Sequence, residues 1–330
     1  MKFYGENENG GFLLPEAVSA EIDSEYGVPA DSMTVRFSGV STPELYRIDA
    51  CTDEGEVIFR GIVDEQETTE TVSGVTSAVY ARSPAALPLD NECEPGEYTD
   101  PSLEVVVKRH LDRFGIVCSE HPTAAFGKMN VARGQSHWTA VKTFCSVFLG
   151  TEPRVNSVGE FRTNCFTGGE PIVFGGSGIG FTSVKSSVNR YCRISKIYVG
   201  TSGDPLVISD ADAQNRGIIR ERRLSLSDSR TGTLFDADEM IAKSKLKART
   251  VELVCPCFIG DIVGRTAAVE YGSFYGREMY VIKTKYTANG SGERTTVTLA
   301  ENIPDVNVIS AAGELIERER IPGVEQEIYM

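Results

Sequence analysis

The sequence lacks most of what an enzyme or a membrane protein needs. No run approaches the roughly 20 apolar residues of a membrane-spanning helix, so no membrane span is expected. There are three histidines, His110, His121 and His137, far apart in the chain. No Ser-His-Asp or Cys-His arrangement can be drawn from them by spacing. The first residues, Met1-Lys2-Phe3-Tyr4-Gly5-Glu6, contain no apolar signal core, so assembly in the cytoplasm is expected. The eight cysteines (51, 93, 118, 145, 165, 192, 255 and 257) are scattered, and reduced core thiols are the expectation. The closest pair, Cys255-Pro256-Cys257, has no second ligand pair at zinc spacing, so no metal or cofactor is expected.

Basic residues are also in deficit, 33 against 47 acids, for a net charge of −14. Phosphate binding without sequence preference needs clustered Lys and Arg. The one basic cluster, Arg216, Arg220, Arg222, Arg223 and Arg230, has acids interleaved and reads as a solvated or inter-subunit face. The glycine-rich run Gly175-Gly176-Ser177-Gly178-Ile179-Gly180 lacks the Gly-Lys-Ser/Thr ending of a phosphate loop and is expected to be a flexible connector. Among 47 acids any pair could imitate a sugar hydrolase, so no catalytic residue is assigned.

What is present is alternation. Val18, Ala20 and Ile22, then Met33, Val35 and Phe37, then Tyr46, Ile48 and Ala50 each put apolar residues on one face. Turn residues separate these runs at about ten-residue spacing, the pattern of a small antiparallel barrel or sandwich. From about residue 84 the period changes. Leu103, Val106, Val107, His110, Leu111 and Phe114 form one helical stripe, capped by Asp100 or Ser102 and stopped by Gly115. A second helix over 136–149 lines up Trp138, Val141, Phe144, Cys145 and Phe148. A hairpin is expected over 154–161, and a third helix over 237–247. After about residue 185 strands return. The order Gly276 to Ile282 followed by Gly292 to Val297 echoes Gly55 to Gly61 followed by Thr71 to Tyr80. The expected fold class is α+β, mostly β: two related small antiparallel β-barrels, 1–83 and 185–303, flank a mixed helical and β insertion, 84–184. A short acidic tail, 304–330, follows.

Four stretches resemble the hub proteins of phage tail baseplates, the late control protein D group. They are Pro29-Ala30-Asp31-Ser32-Met33-Thr34-Val35; Ala81-Arg82-Ser83 with Leu89-Asp90-Asn91-Glu92; Asp210 to Arg223, with Ala213 and Gly217-Ile218-Ile219-Arg220; and Gly260-Asp261-Ile262-Val263. The resemblance implies a homotrimer in the virion tail. Its two barrels per chain would make a pseudo-sixfold ring between a hexameric tail tube and a trimeric central spike. It also implies contacts with other baseplate proteins and the tape measure protein, and DNA met only in passing through the lumen, where a negative wall would prevent sticking. No fused peptidase or lysozyme is visible, so no enzymatic activity is expected. A wall hydrolase and a receptor- or carbohydrate-binding tail-tip protein are the alternatives. Tyr271, Phe274 and Tyr275, set among Gly272 and Gly276, are the candidate subunit-contact loop.

Overall fold

A computed structural model of the protein describes residues 1–120, 127–200, 205–225 and 235–301. His121, Arg230 and the acidic tail lie outside them. Seven strands come first: β1 (Lys2–Asn7), β2 (Gly10–Leu13), β3 (Ala17–Glu25), β4 (Ser32–Ser38), β5 (Arg47–Cys51), β6 (Val57–Thr71) and β7 (Gly74–Arg82). The middle region holds α1 (Ala86–Asp90), β8 (Gly96–Thr99), α2 (Leu103–His110), β9 (Val117–Cys118), β10 (Lys128–Val131), α3 (His137–Phe144), β11 (Arg154–Val155) and β12 (Glu160–Arg162). Next come β13 (Thr167–Gly175) and β14 (Ser183–Val188). A small three-stranded sheet follows, of β15 (Lys196–Val199), β16 (Leu206–Ser209) and β17 (Glu221–Leu224), with α4 (Ala211–Asn215). The chain then forms α5 (Phe235–Leu246), β18 (Arg249–Cys255), β19 (Arg265–Glu270), β20 (Glu278–Asn289) and β21 (Gly292–Ala300). No helix among the described residues is long and apolar enough to cross a membrane.

The chain is α+β and mostly β, as its alternation predicts. The expected pair of closed barrels is replaced by one open 13-stranded sheet, ordered β14-β18-β21-β20-β3-β4-β7-β6-β5-β1-β2, with β19 and β13 branching from β20. The ladders do not close because β2 and β14, at the two ends, have no second neighbour among the described strands. The first half nevertheless rolls up. β1 lies four ladder steps from β4, about 19 Å in a flat sheet. Yet the rings of Phe3 and Phe37 on those strands meet edge to face at 6.2 Å. Rolling lets Phe3, Met33, Val35, Phe37, Ile48, Phe59 and Val79 bury one another in a single core.

The second half repeats the first. The strand order β3-β4-β7-β6-β5 recurs as β14-β18-β21-β20-β19, with every pairing antiparallel. Thr71 pairs with Gly74 and Asn289 with Gly292, so both central hairpins turn on two residues. Each then carries a bulge at the same distance from its turn, at Asp64 in β6 and Ile282 in β20. A bulge inserts one residue and bends its strand, so the two hairpins bend at equivalent places. The repeats join where β20, beyond its bulge, pairs with β3 from Lys283 opposite Glu25 to Asn289 opposite Ser19.

The helices obey their caps. Ser102, not Asp100, caps α2 by accepting the Val105 N–H. Asp100 sits at φ +48° and accepts the Gly127 N–H instead. The α2 stripe packs with Trp138, Val141 and Phe144 of α3 in a second core. Gly150 ends that segment in the left-handed region, as its position predicts. The run 175–180 is a tight turn and not a loose connector. Gly175 N–H donates to Ile179 O, Gly178 N–H to Gly175 O and Ile179 N–H to Val173 O, each at 2.8 Å.

Gly264 marks the closest backbone approach in the third core. Its φ is +90°, and a Cβ there would lie 1.8 Å from Cys165 O. Gly264→Ala should therefore lower unfolding free energy by about 3 kcal/mol or more. Gly260→Ala, where a Cβ meets open space, should stay within about 0.5 kcal/mol. Urea denaturation of both variants checks the contrast.

Candidate functional site

Three of the four resemblance-bearing stretches meet at Arg154, through Asp31, Ser83 and Asp261. This side chain leaves β11 and is almost wholly buried. Its Nη1 and Nη2 donate to Asp31 Oδ1 and Oδ2 at 3.3 and 3.1 Å, and Nη2 also donates to Asp261 Oδ1 at 3.0 Å. Ser157 Oγ donates to Asp31 Oδ2 at 2.7 Å. Ser83 closes the loop, its N–H donating to Asp31 O and its hydroxyl accepting the Asp31 N–H. One guanidinium thus ties the turn before β4, the exit of β7, the middle region and the loop before β19. Burial pushes the Asp31 carboxyl up, with Arg154 pulling it back. Burial works against the Arg154 charge too, but Asp31 and Asp261 outweigh it and hold the guanidinium protonated.

A second buried network lies between the middle region and α5. Lys142 Nζ reaches Glu152 at 2.8 Å and Glu239 at 3.1 Å, and Lys243 also pairs with Glu239. Despite burial, the two lysines hold the Glu239 carboxyl down at about 2.

Two histidines read as isolated come together. His110 accepts or donates with Tyr98 Oη at 2.7 Å through Nε2, and its Nδ1 lies 3.0 Å from Nδ1 of His137. Phe114 closes the edge of the pair. His110 occupies the apolar stripe, as its spacing implies, but its partner is 27 residues on and no local signal announces it. Burial pushes His110 down to about 4, with His137 and Arg109 adding to the shift, and lowers His137 as well. No group of three or more His, Cys, Asp and Glu that could hold a metal occurs among the described residues. Cys255 is buried in the third core and Cys257 half-buried against it, beyond the end of β18.

The candidate contact loop lies between β19 and β20. Tyr271 and Tyr275 are exposed, while Phe274 is half-buried against the third core. Tyr271 meets Phe181 edge to face at 5.7 Å, and the Arg277 guanidinium lies over Phe274. The described arginines of the basic cluster are largely engaged locally. Arg216 pairs with Asp212 at 2.9 Å, and Arg220 and Arg223 lie over Tyr191 and Tyr198.

Arg154→Met should cost about 3–5 kcal/mol, because it strips the buried Asp31 carboxyl of its cation. Adding Asp31→Asn should recover part of that loss, and a urea-denaturation double-mutant cycle measures the recovery. The histidines give a separate pH signature. Above pH 7 the imidazoles are mostly neutral in both folded and unfolded chains. As pH falls below the ordinary 6.5, the unfolded chain takes up protons that the folded pair refuses, so stability drops between pH 6.5 and about 4 and then levels off. The double variant His110→Asn, His137→Asn should start from a lower Tm at pH 7 and lose less of it on going to pH 5 than the unsubstituted protein does.

No protein-family model and no curated protein matches the chain. Solved structures do. A tail protein from Neisseria meningitidis MC58 superimposes with a TM-score of 0.71 at 14% identity, covering 91% of this chain and 96% of that one. The 43 kDa tail protein of prophage MuSo2 from Shewanella oneidensis gives 0.69 at 13% identity, with coverage of 93% and 99%. The E. coli protein c3393, a type VI secretion system component described as similar to T4 tail proteins gp27 and gp5, gives 0.53 at 9% identity, with coverage of 86% and 73%. The chain has the fold of the phage tail proteins, in agreement with the resemblance to baseplate hubs read from its sequence.

Proposed function

We propose that the chain is the structural hub of a phage or phage-like tail baseplate, a homotrimer that adapts a hexameric tail tube to a trimeric central spike and lines the channel between them. The observation that carries this reading is the internal repeat. One chain presents two versions of the same five-strand order, with the same turn and the same bulge. Three such chains present six similar units to a sixfold tube while keeping threefold symmetry toward a spike. The units are 1–83 and 185–303, with 84–184 as the insertion and 304–330 as the tail. A tail structural role agrees with the structural neighbours, and the role is non-catalytic. The surplus of acids suits a lumen through which DNA slides without sticking. Assembly takes place in the bacterial host cytoplasm. Tyr271, Phe274 and Tyr275 form an aromatic subunit contact, since Tyr271 and Tyr275 are exposed while Phe274, half-buried against the third core, anchors their loop.

Light scattering of the purified protein, alone and with its tube and spike proteins, should give a mass of three chains in at least one of these mixtures. A protein that stays monomeric in all of them overturns the hub reading.

A further inference from the structure

The joint between the two repeats inside one chain specifies the joint between chains. Within the chain, β20 beyond its bulge is covered by β3. Its equivalent, β6 beyond Asp64, pairs with β7 on one side and with no strand on the other among the described residues. The consequence is visible in exposure. Tyr286 of β20 is buried and Lys285, Thr287 and Ala288 are half-buried, whereas their equivalents in β6, Thr68, Glu67, Thr69 and Glu70, are all exposed. The equivalent of β3 is β14, and it too has one open edge, since it pairs with β18 alone. Ser24 of β3 is 5% exposed, while Val188 at the corresponding place in β14 is 64% exposed. An unpaired strand edge is a template for another strand. This chain has one such edge of each kind, and they are equivalents of two strands already joined.

We propose that β14 of one copy pairs antiparallel with the outer half of β6 of a second copy, in the register of the internal β3–β20 joint. Thr71 then lies opposite Ser183, Thr69 opposite Lys185 and Glu67 opposite Ser187. This inference rests on the trimer reading and names its contact. Charge favours it independently. In the internal joint the acids are on β3 and the cations on β20. Lys283 pairs with Glu25 at 2.9 Å, and Lys285 pairs with Asp23 at 3.3 Å and with Glu21. In the open edges the signs are exchanged: β6 carries Glu65, Glu67 and Glu70, and β14 carries Lys185. Lys185 stands where Glu21 stands in β3, and Glu67 where Lys285 stands in β20. The diagonal Glu21–Lys285 pair thus becomes Lys185–Glu67 between copies, and neither residue has an ion-pair partner among the described residues. Because the two edges differ, the contact is heterologous, the kind that generates rings when the rotation closes. Exchanged signs also keep β14 from competing with β3 for β20, since Lys185 would then face Lys285.

The test uses the full chain under the conditions in which it is trimeric. Directly opposed residues of an antiparallel pair have Cα atoms about 4.5–5.5 Å apart, within disulfide reach. Thr71→Cys with Ser183→Cys should give covalent dimers and trimers on a non-reducing gel, absent from either single variant and from the unsubstituted protein. Glu67→Lys or Lys185→Glu alone should lower the trimer fraction at least several-fold, and the two together should restore it. A full trimer with no cross-link and no response to either charge reversal overturns this contact while leaving the trimer intact. A protein monomeric under every condition overturns both.

Discussion

Arg154 fixes how the middle region sits against the two repeats, which the β3–β20 ladder already joins to each other. The three largest hydrophobic clusters share no buried residue, although Tyr286 of β20 enters the core of the first repeat, and apolar contact is non-directional. Burial alone would let these bodies slide against one another. A buried guanidinium held by Asp31 and Asp261 has a fixed fork geometry, and breaking it leaves charges stranded in a medium that cannot solvate them. The junction therefore sets orientation more than it adds stability.

The repeat supplies the other half of the design. The long hairpins β6–β7 and β20–β21 bend at equivalent bulges, and each bulge divides its strand into two working parts. The part before it pairs inside its own repeat, with β5 or β19, and the part beyond it reaches outward. In β20 the outward part is already occupied by β3. The divergence between repeats is concentrated around this core. β1 pairs with β5 antiparallel, while β13 pairs with β19 parallel, so the strands flanking each shared five differ in direction. The shared strands carry the common geometry, and the flanking ones distinguish one half from the other.

Much of the fold was legible because it rests on local periodicity. Val35 and Phe37, Ile48 and Ala50, and the α2 stripe through Val106 and Val107 all lie buried where their spacing puts them. Ser102 starts and Gly115 stops helical turns through chemistry carried by one or two residues. The run 175–180 was misread as flexible because glycine content reports freedom in the unfolded chain, while Ile179 N–H and Gly175 N–H find partners only when β13 folds back on itself.

By itself the sequence determined the mostly β composition, the helical middle region, the echo of two hairpins and the stretches resembling tail hubs, since all of these are encoded within about a dozen neighbouring residues. Only the tertiary structure decided that the sheet stays open, that Asp31, Arg154 and Asp261 share one charge, that His110 faces His137, and that β3 completes β20. Each of these depends on residues 27 to 270 positions apart. No local period reaches that far; such contacts are selected by how rolled sheets and packed helices fill space together.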